Sequence, residues 1–139
     1  MILLIILLIP FITGLFLFLL KNTAQIRYLA LAASVINLLL TIPLVVSTSA
    51  STYAANWINF MGAQFTLGYD GISMIMLMLT NLLFPIILLS GFGREQKNVS
   101  LLNFLILAAQ SALIGVFLAQ NALVFYVFWE LALIPVYFI

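Results

Sequence analysis

The chain has 139 residues, 67% of them hydrophobic and 5% charged, with a net charge of +1 and neither cysteine nor histidine. A soluble domain carries about 25% charge, so this composition excludes a water-facing globular surface and makes a bilayer the natural solvent. The missing residue types exclude thiolate and imidazole metal sites, cysteine redox chemistry and histidine acid–base catalysis, and no basic cluster or Gly-rich loop is present to bind nucleic acid or nucleotide phosphates.

Inside a bilayer every backbone polar group must be paired internally, which leaves helices or a closed barrel. The apolar runs here are long and continuous rather than alternating, so the expected class is an all-α polytopic membrane protein. Five runs separate, at about 2–20, 26–46, 72–91, 101–119 and 122–139. A span needs about 20 residues at ~1.5 Å rise each. The first run lacks a basic n-region and an A-x-A-like cleavage site, so it reads as a retained helix rather than a signal peptide. No internal repeat or linker divides the chain, which is taken as one membrane domain.

Lys21 and Arg27 flank the first connection, and Arg94 and Lys97 lie in the third. The second connection, 47–70, has no Lys or Arg, and the fourth is only Gln120-Asn121. All four cations therefore fall on one side. The positive-inside rule assigns that side to the cytoplasm and puts the N-terminus outside. Arg94, Glu95 and Lys97 read as a solvated loop. In the long outer connection, Phe65, Leu67 and Tyr69 alternate with Thr66 and Gly68, which predicts a short strand. Asp70 and Ser73 suit the N-terminus of the third helix. Tyr53, Trp57 and Tyr69 read as interfacial anchors.

The fifth run, FYVFWELALIPVYFI (125–139), carries Glu130 in its middle. Glu130 is eight residues beyond Ala122, or roughly 12 Å along a helix, well inside a hydrocarbon core of ~30 Å. An acid at that depth costs about 2.5–3.5 kcal/mol on insertion scales. A cationic partner, water or protonation must offset the cost. A carboxyl whose proton affinity changes as its partner moves is suited to carrying protons; a protonated packing clamp is the structural alternative. Pro135 has no N–H, so the Leu131 carbonyl loses its helical partner and is free to hold water beside Glu130. Asn37, Thr80, Asn81, Asn103, Gln110 and Ser111 are further polar residues within spans. Interhelical hydrogen bonding accounts for most of them, with Gln110 and Ser111 as candidates for ordering water. No Lys, Arg or second acid lies in the interior of any span, Arg27 standing at the very start of the second, so one titratable station stands alone.

Three stretches, DGISMIMLMLTNLLFPIILLS (70–90), AAQSALIGVFLAQN (108–121) and the WELxLIPxYF pattern of 129–138, closely resemble the proton-translocating membrane subunits of NADH–quinone oxidoreductase, respiratory complex I. The M type, or chain 4, fits best; L-type and antiporter relatives follow the Glu with a Gly-rich sequence lacking this proline. The resemblance implies a larger bundle built around two inverted helical repeats. In it the acid matching Glu130 pairs with a Lys on the seventh helix and moves protons outward as quinone is reduced. It further implies no cofactor in this subunit, with NADH, FMN, iron–sulfur clusters and quinone held by other subunits of the complex. The implied partners are the other complex I membrane subunits, lipid and protons, in a bacterial plasma membrane or an equivalent energy-transducing membrane. The Lys partner lies outside this sequence, which is expected to be the N-terminal part of a longer protein and inactive alone. Asn121 stands where relatives often carry Asp. The rival readings are a subunit of a sodium/proton antiporter or membrane-bound hydrogenase, and a non-catalytic scaffold with Glu130 as a polar clamp.

Overall fold

The apolar runs fold as helices because lipid offers their backbones no partner but themselves. The structure is a computed structural model that describes residues 2–46, 52–58, 63–93 and 97–139. Helix α1 covers Ile2–Phe16 and tightens into a 3-10 turn at Leu17–Leu19; α2 covers Thr23–Val46, α3 Gly71–Ser90, α4 Val99–Leu118 and α5 Ala122–Phe138. The first four are long and apolar enough to cross a membrane, and α5 is a shorter apolar helix. With the 3-10 turn counted as part of α1, the helix ends lie within three residues of those expected from sequence. The largest shift is at α2, which begins at Thr23 because Asn22 Oδ1 accepts the Ala24 N–H at 3.0 Å and starts the helix early.

Helix α4 is the axis of the bundle. Some 72% of its span is buried, against 33% for each of the other three spans, so α1, α2, α3 and α5 arrange themselves around it. Helix α5 comes close to α4 at Gly115, where a Cβ would overlap the Phe128 ring. Two apolar clusters form the ends of the core. One gathers Leu3, Leu7, Leu44, Leu77, Ile114 and Val124; the other gathers Leu17, Ile26, Phe84, Leu88, Ile106 and Leu107.

The second connection folds back on itself. Strand β1 (Tyr53–Ile58) pairs antiparallel with β2 (Ala63–Leu67) in the register Tyr53↔Leu67, Ala55↔Phe65, with an irregularity between Asn56 and Ile58. The sequence predicts a strand around Phe65 and Leu67, and β2 is that strand, ending before Tyr69. Strand β1 is not apparent from its own residues. The hairpin closes onto the α4–α5 junction: Gly68 N donates to Leu118 O at 2.8 Å, and Gln120 N donates to Thr66 O at 3.1 Å.

At the opposite end, Arg27 donates to the Phe92 carbonyl, and Lys21 and Lys97 line one surface recess with Thr23 and Asn98. The described cations thus share one end of the bundle, away from the hairpin, as their positions in the sequence led us to expect. Arg94 and Glu95 lie outside the described residues, as does the side chain of Trp57. Asp70 caps α3, accepting the Ser73 N–H at 2.7 Å. That backbone bond, with the Ser73 hydroxyl second, holds the Asp70 carboxyl below its usual range.

Candidate functional site

Helix α5 is apolar on nearly every side, so its orientation is set by packing alone. Its buried positions are Val124, Ala132 and Pro135, with Phe128 half-buried against Gly115. Glu130 is two residues from both 128 and 132. At about 100° per residue that turns it roughly 160–200° from the packed stripe. It therefore stands exposed on the face of α5 directed away from the other four helices. Tyr126, one turn earlier and also exposed, is placed to share a hydrogen bond with the Glu130 carboxyl. Phe125 and Trp129 stack alongside, with ring centroids 5.9 Å apart. Pro135 lies on the buried stripe, inside an unbroken helix.

Five other polar residues within the spans form a separate layer between α2, α3 and α4. Ser34 Oγ donates to Gln110 Oε1 at 2.9 Å, and Gln110 Nε2 donates to Asn81 Oδ1 at 2.9 Å. Asn81 Nδ2 donates to Thr41 Oγ1 at 2.7 Å, and Thr41 Oγ1 donates back to the Asn37 carbonyl at 2.8 Å. All five residues are buried. Leaving one such group unpaired would cost about 1–3 kcal/mol, so the network locks the three helices in one register. Thr80 and Asn103 turn inward on their own helices, donating to Met76 O and Val99 O, both at 2.8 Å.

Gln110 and Ser111, singled out beside Glu130 in the sequence, take different places. Gln110 is the link between α2 and α3. Ser111 ties α4 to α1 by donating to Leu7 O at 2.6 Å, in the wall of an otherwise apolar cavity of about 300 Å³ that also touches Phe11, Phe65 and Phe128. Neither has a hydrogen bond to Glu130 among those described. Depth, however, is shared. From the hairpin end, Glu130 is eight residues beyond Ala122, Gln110 eight before Leu118, Asn37 nine before Val46 and Asn81 ten beyond Gly71. At ~1.5 Å per residue these are all about 12–15 Å deep.

Sequence reasoning passed over Ser34 and Thr41. The signal was present: 34, 37 and 41 are spaced three and four apart, one face of a helix. In the sequence Asn121 stands out only as a departure from relatives, yet its side chain joins α5 to β2. Its Oδ1 accepts the Val124 N–H at 2.9 Å and caps α5, while Nδ2 donates to Gln64 O at 2.7 Å and Thr66 Oγ1 at 2.8 Å in the hairpin. No group of three or more His, Cys, Asp or Glu that could hold a metal ion occurs among the described residues.

No protein-family profile matches the chain. Among characterised proteins it is 39% identical over 95 residues to F(420)H(2) dehydrogenase subunit M of Methanosarcina mazei, a match covering 67% of this chain and 19% of that protein. It is 33% identical over 131 residues to NADH-quinone oxidoreductase subunit M of Buchnera aphidicola, covering 86% of this chain and 26% of the relative. This chain is homologous to the M-type, or chain 4, membrane subunits. The fold agrees. Respiratory complex I from Thermus thermophilus matches with a TM-score of 0.80 at 28% identity, over 97% of this chain and 27% of the matched one. An archaeal membrane-bound sulfane sulfur reductase matches with a TM-score of 0.83 at 25% identity, over 96% and 22%. The chain therefore spans about a fifth to a quarter of the length of the M-type subunits and structures it matches. It is an integral, multi-pass membrane protein whose structural matches lie within multi-subunit respiratory complexes.

Proposed function

We propose that this chain serves in a proton-translocating membrane subunit of an NADH–quinone oxidoreductase, and that Glu130 is its proton-carrying group. The observation that carries this reading is the placement of Glu130. It is a mid-span acid on the WELxLIPxYF pattern, turned away from the other described helices and left without a cation among the described residues. An acid at that depth needs a countercharge, water or a proton. A cation approaching the outer face of α5 would supply that countercharge, and its withdrawal would leave water or a proton to do so. Pro135 leaves the Leu131 carbonyl without its helical donor beside this group. Gln110 and Ser111 act by holding α4, on which α5 is packed, rather than by touching Glu130. Electron transfer, with NADH, FMN, iron–sulfur clusters and quinone, belongs to other subunits of the same complex, and the other complex I membrane subunits are the partners.

A second reading draws on the sulfane sulfur reductase match, since that respiratory complex shares the fold. Such a membrane unit would couple the same acid chemistry to a different electron donor or acceptor.

The test is Glu130→Gln in the full-length protein within its assembled complex. The expected result is normal assembly with proton pumping reduced to the background of uncoupled vesicles. Poor assembly with normal pumping per assembled complex would replace the reading with that of a polar packing clamp.

A further inference from the structure

We infer that α2, α3 and α4 enclose a binding site for a single ordered water, held by Asn37 Oδ1 and the backbone carbonyl of Asn81. The orientation of every amide in the polar layer follows from one hydroxyl. Thr41 Oγ1 lies 2.8 Å from the Asn37 carbonyl, which only accepts, so Thr41 must donate there. Its oxygen then accepts from Asn81, so the Asn81 atom facing it is nitrogen and the other is oxygen. That oxygen faces Gln110, which fixes Gln110 Nε2 there and leaves Oε1 to accept from Ser34. The same oxygen also faces Asn37 at 3.5 Å, so the near atom of Asn37 is its nitrogen. The Asn37 Oδ1 is therefore forced to point elsewhere, and it is a fully buried acceptor with no protein donor among the described residues. Exchanging its amide atoms would only set two oxygens against each other.

A second acceptor comes from the backbone. Pro85 follows Asn81 by four residues inside α3 and has no N–H, so the Asn81 carbonyl lacks its helical donor. Both residues lie on the buried face of α3. Buried polar groups without protein partners are typically met by internal water making two to four hydrogen bonds. Two acceptors call for a donor of two hydrogens. A bare cation would need a countercharge, and the layer contains no acid. The site stands apart from Glu130 and would persist if Glu130 carried no proton.

The test is a cryo-electron microscopy map of the native complex at a resolution that shows ordered waters, followed by maps of two variants. The expected result is a solvent peak at hydrogen-bond distance, roughly 2.7–3.2 Å, from Asn37 Oδ1. The peak should be lost in Asn37→Leu and weakened in Pro85→Ala, which restores the donor to the Asn81 carbonyl. If Asn37→Leu does not assemble, the parent map decides alone. Absence of the peak from the parent map would overturn the inference, as would a protein group donating to Asn37 Oδ1. A peak that vanishes when sodium is withdrawn would also overturn it, in favour of a cation.

Discussion

The layer around Gln110 and the surface around Glu130 lie at the same depth in the bundle and are opposites in chemistry. The layer is neutral, fully buried and bonded across three helices. Glu130 is ionisable, on the outer face of α5, with one tyrosine beside it. Neutral amides and hydroxyls satisfy most of one another's bonds and so fix helix positions. An ionisable group gains nothing from such a layer, because its charged form needs a countercharge or water. The chain uses the first kind of polarity to build itself and presents the second kind for an interaction beyond the five described helices.

The contrast is broken most severely by removing its central amide. Gln110→Leu leaves Asn81 Oδ1 with only the long 3.5 Å contact to Asn37 Nδ2 and strands the Ser34 hydroxyl, and each group left unpaired costs about 1–3 kcal/mol. The expected outcome is a lower thermal midpoint of the purified complex and a lower yield, with Ser111→Ala milder because it removes one bond. Equal stability of the two variants would mean that the layer does not hold the bundle.

A smaller effect is expected at the hairpin. Asn121→Asp keeps the oxygen that caps α5 but loses the amide that donates to Gln64 O and Thr66 Oγ1. Each lost bond is worth about 1 kcal/mol, so proteolysis or hydrogen exchange should show the hairpin loosened from the α4–α5 junction while α5 stays helical. Unchanged protection would show that the backbone bonds from Gly68 and Gln120 suffice.

The smallest effect is a pH dependence at Asp70. Its carboxyl is held below the usual range in the folded state by the Ser73 N–H and then the Ser73 hydroxyl. A depressed pKa gives stability that is present above the unfolded value, near 3.8, and lost as pH falls through the folded value. Asp70→Asn should flatten the dependence of α3 fraying on pH in that acid range and leave neutral behaviour almost unchanged. A Glu130→Gln variant, by contrast, should leave fraying of α3 untouched at every pH.

Much of this arrangement is legible in the residues. The spans follow from long apolar runs, because lipid permits such a chain little else than helix. The end bearing the basic residues follows from their spacing, and the cap at Asp70 from its chemistry. What escaped has definite physical reasons. Strand β1 runs through Ala54, Ala55 and Asn56, which have weak strand preference, and it exists because β2 fixes its register. Asn37, Asn81 and Gln110 were recognisable as polar residues inside spans, but their pairing depends on helix rotation about axes that composition does not specify. The direction of Glu130 was hidden for a related reason. Helix α5 is apolar all round, so no periodic stripe marks its packed side; Gly115 on α4 decides it by admitting Phe128. That glycine is fifteen positions from Glu130, outside the range of local pattern reading.

The most direct measurement of the central claim is infrared difference spectroscopy of the assembled complex during turnover. A protonated carboxyl absorbs apart from its ionised form. The account predicts a carboxyl band that changes as the complex turns over and disappears in Glu130→Gln. Difference spectra that are the same in the parent and in Glu130→Gln, with both complexes turning over, would contradict it.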